Sequence, residues 1–403
     1  MTTRLPTIDD LHEAGHVTGK RVLVRCDFNV PLSGSEIIDD LRIRSALPTI
    51  ESLLEKGARV LLCSHLGRPK GEVDGSLRLA PVGRRLEQLL GQHVEVLDTV
   101  VGNEAVAASM SNADIILLEN VRFEPGETKN DPDLARAYAQ LADAFVLDAF
   151  GSAHRAHASV VGVSELLPSA AGLLLQNEVE KLEKVLAAPE RPYVAILGGA
   201  KVSDKLAVIG NLLRVVDAMC IGGAMAFTLL KAQGHDVGRS LVEDDRIEEV
   251  REVLDRAAQA KVEILVPVDV IAADSPHKGA AHEAVTLAEI GERMGVDIGP
   301  RTTELFADAI AGAKTILWNG PMGIFEIEEF SQGTRGVAQA VVSATEAGAY
   351  SVVGGGDSAA ALKELGWTER VSHLSTGGGA SLELLEGKEL PGIQALRNQR
   401  RNG

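Results

Sequence analysis

The 403-residue sequence holds only three cysteines, Cys26, Cys63 and Cys220, an odd number with no CxxC or metal-ligand spacing. That argues against a disulfide scaffold or a zinc module and points to a reducing compartment. No apolar run approaches the roughly 18 residues that a bilayer-spanning helix requires. The stretch Met1–Gly15 carries Asp9, Asp10 and Glu13 where a secretory leader would be apolar. Positive charge is in deficit, with 40 Lys and Arg against 57 Asp and Glu, a net −17. Nucleic acid and anionic membranes demand clustered cations, so neither is an expected partner. These absences describe a soluble, cytoplasmic protein of two or three domains at about 150 residues each.

Standard nucleotide fingerprints are missing too. Gly15-His16-Val17-Thr18-Gly19-Lys20-Arg21 has the wrong spacing for GxxxxGK[ST] and ends in Arg. The HRD and DFG elements of protein kinases do not occur. Gly354-x-Gly356-x-x-Ala359 satisfies the relaxed dinucleotide pattern GxGxxA, but the next expected strand ends in Ser375-Thr376, without an acidic residue to hold a ribose.

What is present is one rhythm, a short β-branched run followed by Gly or polar residues and then by a segment of helical period. It predicts strands over Arg21–Cys26, Arg59–Cys63, Asp114–Leu118, Ala144–Leu147, Tyr193–Leu197, Ala218–Ile221, Val262–Val268, Thr315–Trp318, Tyr350–Val353 and Val371–Leu374. Strands alternating with helices make an α/β protein of parallel sheets, and ten strands over this length fit two sheets better than one. A division is expected near Pro168–Gly172, followed by a helix over Leu173–Ala187. Pattern alone admits that helix either as a rigid connector or as an ordinary crossover.

In parallel sheets ligands bind beyond the carboxyl ends of strands. In the first half those ends deliver Asp27-Phe28-Asn29, Ser64-His65-Leu66-Gly67-Arg68, Glu119-Asn120-Val121-Arg122 and Asp148-Ala149-Phe150, with Arg42 after an acidic turn and Arg155 between His154 and His157. Converging arginines suit a small, multiply anionic substrate, because a guanidinium grips phosphate and carboxylate bidentately. The second half delivers glycine: Gly198-Gly199, Gly222-Gly223, Asn319-Gly320, Gly354-Gly355-Gly356 and Gly377-Gly378-Gly379. Glycine lets backbone N–H groups approach a ligand, and helices starting at Asp357-Ser358 and Ala380-Ser381 would aim positive ends at these loops, as at a nucleotide-phosphate site. Lys201 and Lys205, four apart, are expected on one helical face. Asp357 is a candidate Mg²⁺ ligand or a helix N-cap, and both are compatible.

Taken in order, RVLVRCDFNVPL (Arg21–Leu32), DDLRIRSALPTI (Asp39–Ile50), SHLGRPKG (Ser64–Gly71), LLENVRFEPGE (Leu117–Glu127), DAFGSAHRAHAS (Asp148–Ser159), LGGAKVSDKL (Leu197–Leu206), GGAMAFTLLKAQG (Gly222–Gly234), WNGPMGIFE (Trp318–Glu326), GGGDSAAA (Gly354–Ala361) and STGGGASLELLEGKELPG (Ser375–Gly392) closely resemble the phosphoglycerate kinase family over nearly the whole chain. The resemblance implies two doubly wound, Rossmann-like domains joined by a long helix and hinge. Residues 1–172, with a returning tail 390–403, would bind the triose phosphate; residues 173–389, beginning with the interdomain helix 173–187, would bind the nucleotide. The implied reaction is reversible phosphoryl transfer from 1,3-bisphosphoglycerate to MgADP, giving 3-phosphoglycerate and MgATP, in a monomer that works by hinge closure.

Matched motif by motif, the resemblance assigns Asp27, Asn29, Arg42, His65, Arg68, Arg122 and Arg155 to the triose, with the strand-end neighbours Phe28, Leu66 and Gly67 included as substrate-binding. It assigns Lys205, Glu326 on the ribose, Asp357 on Mg²⁺ and the loop Gly354, Gly355 and Gly356 to ATP or ADP, with the strand-end residues Asn319 and Ser358 placed beside them. Gly222 and Gly223 would border the adenine, as would Gly295. Arg42, Lys201 and the helix start at Gly378 and Gly379 would stabilise the phosphoryl group in flight. Three residues depart from the family pattern: Cys26 for Val, Leu147 for Asn and Ser152 for Thr. Leu147 puts one polar strand-end contact in doubt. Two rivals from other classes are a nicotinamide-dependent dehydrogenase, which GxGxxA would suit, and a non-catalytic phosphometabolite-binding protein, which the Arg and His cluster would suit.

Overall fold

The computed structural model describes residues 4–111 and 113–402; Gly403, the end of the expected tail, and Met1–Thr3 lie outside the described residues. The chain forms two compact units, residues 1–180 with 389–403 (unit 1) and residues 181–388 (unit 2). The helix Leu173–Ala187 has the predicted bounds, and the division falls inside it.

Unit 1 contains strands β1 (Arg21–Arg25), β2 (Leu32–Ser33), β3 (Glu36–Ile37), β4 (Arg59–Cys63), β5 (Glu95–Val96), β6 (Ile115–Leu117), β7 (Ala144–Leu147) and β8 (Ser169–Ala171). Six of them form one parallel sheet in the order β5-β6-β4-β1-β7-β8, while β2 and β3 pair as a small hairpin. The sheet is buried on both faces, which is why its strands read as unbroken Val, Leu and Ile runs. Val22, Val24, Val60, Leu62, Ile115 and Leu117 pack against Ile43, Ile50 and Leu53 of the helix Leu41–Glu55. Each such buried side chain contributes roughly 1.5–3 kcal/mol. The helix Pro132–Leu141 starts where Asp131 Oδ1 accepts the N–H groups of Asp133 and Leu134.

The helix Pro391–Asn402 belongs to unit 1, where Gly392 N donates to Ala153 O and Gln399 Nε2 to Ser164 O. It also explains Leu147. A Cβ on Gly392 would lie 2.9 Å from the Leu147 side chain, so Leu147 is fully buried core against this helix. Cys26 is likewise core, and all three thiols are free and buried.

Unit 2 contains β9 (Tyr193–Leu197), β10 (Ala218–Ile221), β11 (Glu263–Leu265), β12 (Asp269–Ala273), β13 (His282–Thr286), β14 (Met294–Ile298), β15 (Thr315–Asn319), β16 (Tyr350–Gly354) and β17 (His373–Leu374). A second parallel sheet runs β11-β10-β9-β15-β16-β17, so all ten predicted strands exist, and both sheets are doubly wound. The third sheet, antiparallel β13-β12-β14, was not anticipated, and the strand expected over Val262–Val268 stops at Leu265. Strands β12 and β13 are joined without a helix, outside the rhythm that marks βαβ units. Among the described residues no helix is long and apolar enough to cross a membrane.

Candidate active site

In unit 1 the chain order reverses between β1 and β7, and the polar strand ends lie at the carboxyl edge beside that point. Asp27 Oδ2 accepts Arg42 Nη1 at 2.6 Å, and its Oδ1 accepts the Asn29 N–H. Asn29 Oδ1 accepts the Gly67 N–H at 2.9 Å, and Arg122 Nη1 donates to Gly67 O at 2.7 Å. Gly67 sits at φ +62°, which favours glycine, and a Cβ there would come within 2.6 Å of a Leu77 methyl, which would have to swing aside. His65 is buried against Asp27, Arg25, Arg122 and Arg42.

Electrostatics here are those of a cation cluster short of anions. Burial pushes the Asp27 carboxyl up, but the Arg42 and Arg25 guanidinium groups and the Asn29 N–H outweigh it and hold it below the usual range. Burial depresses His65 strongly, aided by the three arginines against Asp27, so the ring is neutral. Burial and the neighbouring Arg25 and Arg155 lower Arg122 to about 10, which leaves it charged at neutral pH. The Arg122 Nε–H is buried and has no acceptor in the protein. Arg68 and Arg155 are exposed and form no ion pair among the described residues. Phe28 and Leu66, by contrast, turn their side chains into the core and offer the site only backbone.

In unit 2 the reversal lies between β9 and β15. Gly198 N donates to Asn319 O, and the buried Lys205 ammonium donates to Asn319 Oδ1. Asn319 Nδ2 is buried without an acceptor, and a Cβ on either Gly354 or Gly355 would come within 3.3 Å of it. Gly355, at φ +90°, caps the helix Gly356–Glu364. Asp357 therefore sits exposed in the first turn and is not the N-cap. Ser358 is fully buried and accepts the Gly320 N–H at 2.7 Å, tying two loops together.

The helical face expected for Lys201 and Lys205 does not form. Residues 201–205 make a turn, closed by Lys205 N and Leu206 N donating to Val202 O, and the helix begins only at Leu206. Val202 is fully buried, and this anchors the turn so that Lys201 stays exposed while Lys205 points inward.

A cavity of about 420 Å³ brings together Gly223, Gly295, Glu326 and Asp357 with apolar walls from Phe227 and Val270. Its shape depends on glycine, since a Cβ on Gly295 would lie 2.0 Å from the Phe227 ring and one on Gly223 2.6 Å from the Gly199 backbone. Gly222, Asn319, Gly354 and Gly356 lie outside its lining, as do Gly378 and Gly379, where the backbone turns through φ +53° into the helix Gly379–Leu385.

The phosphoglycerate kinase family model matches residues 8–388. The chain belongs to the phosphoglycerate kinase family. It is 58% identical to the phosphoglycerate kinase of Rubrobacter xylanophilus over 381 residues, 94% of this chain and 95% of that protein. Identity to the Thermosipho africanus enzyme is 53% over 388 residues, covering 95% and 96%. Among solved structures, phosphoglycerate kinase from Coxiella burnetii superposes with a TM-score of 0.88 at 43% identity, covering 98% of this chain and 99% of that one. The Pyrococcus horikoshii enzyme gives 0.81 at 31% identity, covering 99% and 100%.

Within this family member, several polar residues have structural roles that the sequence does not set apart. Asn120 accepts the Leu66 and Arg122 N–H groups and donates to Leu66 O and Leu77 O, stapling the loop that carries His65 and Gly67. Asp297, buried under the cavity, accepts the Gly333 and Ile298 N–H groups, and burial pushes it up to about 7. Asp148, just beyond the end of β7, is fully buried: its Oδ1 accepts the N–H groups of Leu174 and Leu175 at the start of the helix Leu173–Ala187.

Proposed function

We propose that the chain catalyses reversible phosphoryl transfer from 1,3-bisphosphoglycerate to MgADP, with the triose in unit 1 and the nucleotide in unit 2. The observation that supports it best is the cluster of Arg42, Arg122 and Arg155 with the neutral His65, a cluster whose Arg122 Nε–H lacks a protein acceptor, carried by a chain of this family. Asp27, Asn29 and Gly67 hold the cluster in place, and Arg68 completes it at the surface. In unit 2, Glu326 and Gly295 belong to the cavity for ribose and base, and Lys205, Asn319 and the glycine loop 354–356 to the phosphates. Asp357 lines the same cavity as one exposed carboxylate, which suits the Mg²⁺ of MgADP, since Mg²⁺ keeps several waters and takes one or two carboxylates plus phosphate oxygens.

The acceptor oxygens are already ionised at neutral pH, so no general base is needed. Catalysis then consists of in-line positioning and neutralisation of the equatorial oxygens by Arg42, Lys201 and the backbone at Gly378 and Gly379. Arg42 and Lys201 belong to different units, so neither unit is a complete catalyst and turnover requires hinge closure. Family kinship also suggests a cytoplasmic monomer.

The test is turnover of MgATP and 3-phosphoglycerate, with 1,3-bisphosphoglycerate followed through coupled NADH oxidation by glyceraldehyde-3-phosphate dehydrogenase. Activity should require both substrates and Mg²⁺ and be lost in Lys201→Ala and Asp357→Ala. A folded protein that binds NAD and turns over neither substrate would overturn the assignment.

Lys205 adds a pH signature. Burial lowers it from its ordinary 10.5 to about 8, against the pull of Asp204, Asp357 and Glu386. Above about pH 8 the free protein therefore holds it neutral, and a bound phosphate recharges it. Nucleotide binding near pH 9 should take up close to one proton, and binding near pH 7 should take up almost none through this group. Calorimetry in buffers of different ionisation enthalpy measures this uptake; heats at about pH 9 that do not vary with buffer would refute it. The linked effect on stability has a definite sign. Between about 8 and 10.5 the unfolded chain binds the proton and the folded one does not, so this group makes stability rise with pH in that window.

A further inference from the structure

Arg25 closes β1 and is fully buried, a rare place for a guanidinium. Its Nε donates to Ser159 Oγ at 2.8 Å, its Nη1 to Cys26 O, and its Nη2 meets His65 Nδ1 at 3.3 Å. Ser159 Oγ in turn donates to Glu127 Oε1 at 2.6 Å, and Glu127 Oε2 accepts the Ser159 N–H and the Tyr138 hydroxyl. The buried cation is thus held by a buried carboxylate through one hydroxyl. A guanidinium has donors only, so its contact with His65 runs one way, with Nδ1 accepting. A neutral imidazole that accepts at Nδ1 carries its proton on Nε2.

We propose that Arg25 is a positioning residue for the triose substrate: by occupying the Nδ1 lone pair it fixes His65 as the Nε2–H tautomer, a neutral hydrogen-bond donor. This rests on the assignment of His65 to the triose. Carboxylate and phosphate oxygens only accept, so the other tautomer would set a lone pair against a lone pair. The charged groups facing His65 are Asp27, which favours a second ring proton, and Arg25, Arg122 and Arg42, which oppose it. Glu127 and Ser159 act one step further back, aiming the Arg25 fork.

The test is the nitrogen-15 NMR tautomer pattern of His65 in the full chain near neutral pH. The free wild-type protein should show protonated Nε2 and unprotonated Nδ1; a protonated Nδ1, or a tautomer mixture, overturns the proposal without any variant. Arg25→Met should produce a mixture, move the His65 titration upward and raise KM for 3-phosphoglycerate about tenfold, with KM for MgATP within about twofold. Arg25→Lys should restore part of both. An unchanged tautomer pattern in folded Arg25→Met also overturns it. Adding 3-phosphoglycerate separates the two levels: a His65 signal that does not respond removes His65 from the triose site, whereas the free-state spectrum judges Arg25 on its own.

Discussion

Replacing Arg42 by alanine should lower kcat by about 10²–10³-fold, while KM for 3-phosphoglycerate changes by only about threefold or less. Arg42 is the second residue of the helix Leu41–Glu55, and its side chain is 37% exposed. Among the described residues its one hydrogen-bonded partner is Asp27 Oδ2 at 2.6 Å, which leaves most of its five donors for a ligand and anchors the guanidinium through that carboxylate. A group so held can meet charge that develops on the equatorial oxygens of the transferring phosphoryl without further reorganisation. On the proposed assignment, ground-state binding is spread over His65, Arg122 and Arg155 and should survive. Arg42→Lys keeps the charge and loses the fork, so it should fall between the two. Steady-state kinetics decide, and a normal kcat in folded Arg42→Ala would remove Arg42 from the chemical step.

The largest effect on stability is expected at Gly320. Its φ is +101°, and a Cβ there would lie 2.2 Å from Gly198 O and 2.5 Å from Gly198 C. Both obstacles are backbone at the end of β9, which cannot swing aside as a side chain can. The Gly198 N–Asn319 O bond and the Gly320 N–Ser358 Oγ bond lie in the same junction. Gly320→Ala should therefore destabilise unit 2 by about 3 kcal/mol or more, through strain at positive φ and the loss of these bonds. Trp318 and Trp367, the chain's two tryptophans, both belong to unit 2. Tryptophan fluorescence in urea should show a midpoint lowered by about 1 M or more. An unshifted tryptophan transition would refute the prediction.

How far the molecule could be read in advance depends on what each element buries. Strands β1, β4, β9 and β15 are buried on both faces, and their apolar runs make them plain in one sequence; the helix Leu173–Ala187 is equally plain from its period. Strand β13 is largely exposed, pairs antiparallel and reads as polar chain, so the sheet that supplies Gly295 to the cavity stayed hidden. The same holds among polar residues. Asp27 and Asp148 both end strands, and the sequence treats them alike. Only the fold turns Asp27 toward Arg42 and Asp148 toward the first amides of a helix. Burial then pushes Asp148 up to about 7, whereas the cations around Asp27 hold that carboxyl low. Lys201 and Lys205 looked equivalent at a spacing of four, but the buried Val202 between them made a turn and parted them. Chemistry-bearing residue types were legible; which way each one faces was settled by packing far along the chain.

The helix Pro391–Asn402 lends the first unit its last piece, and that has a bearing on biosynthesis. A ribosome emits residues 181–388, a contiguous unit with every strand of its two sheets, before it emits the helix that covers Leu147 and Val160. The unit made first is thus the unit finished last. Until residues 391–402 have been translated, its apolar surface around Ala153, Val160 and Leu147 stands uncovered, a natural landing place for chaperones while the nascent chain is still tethered.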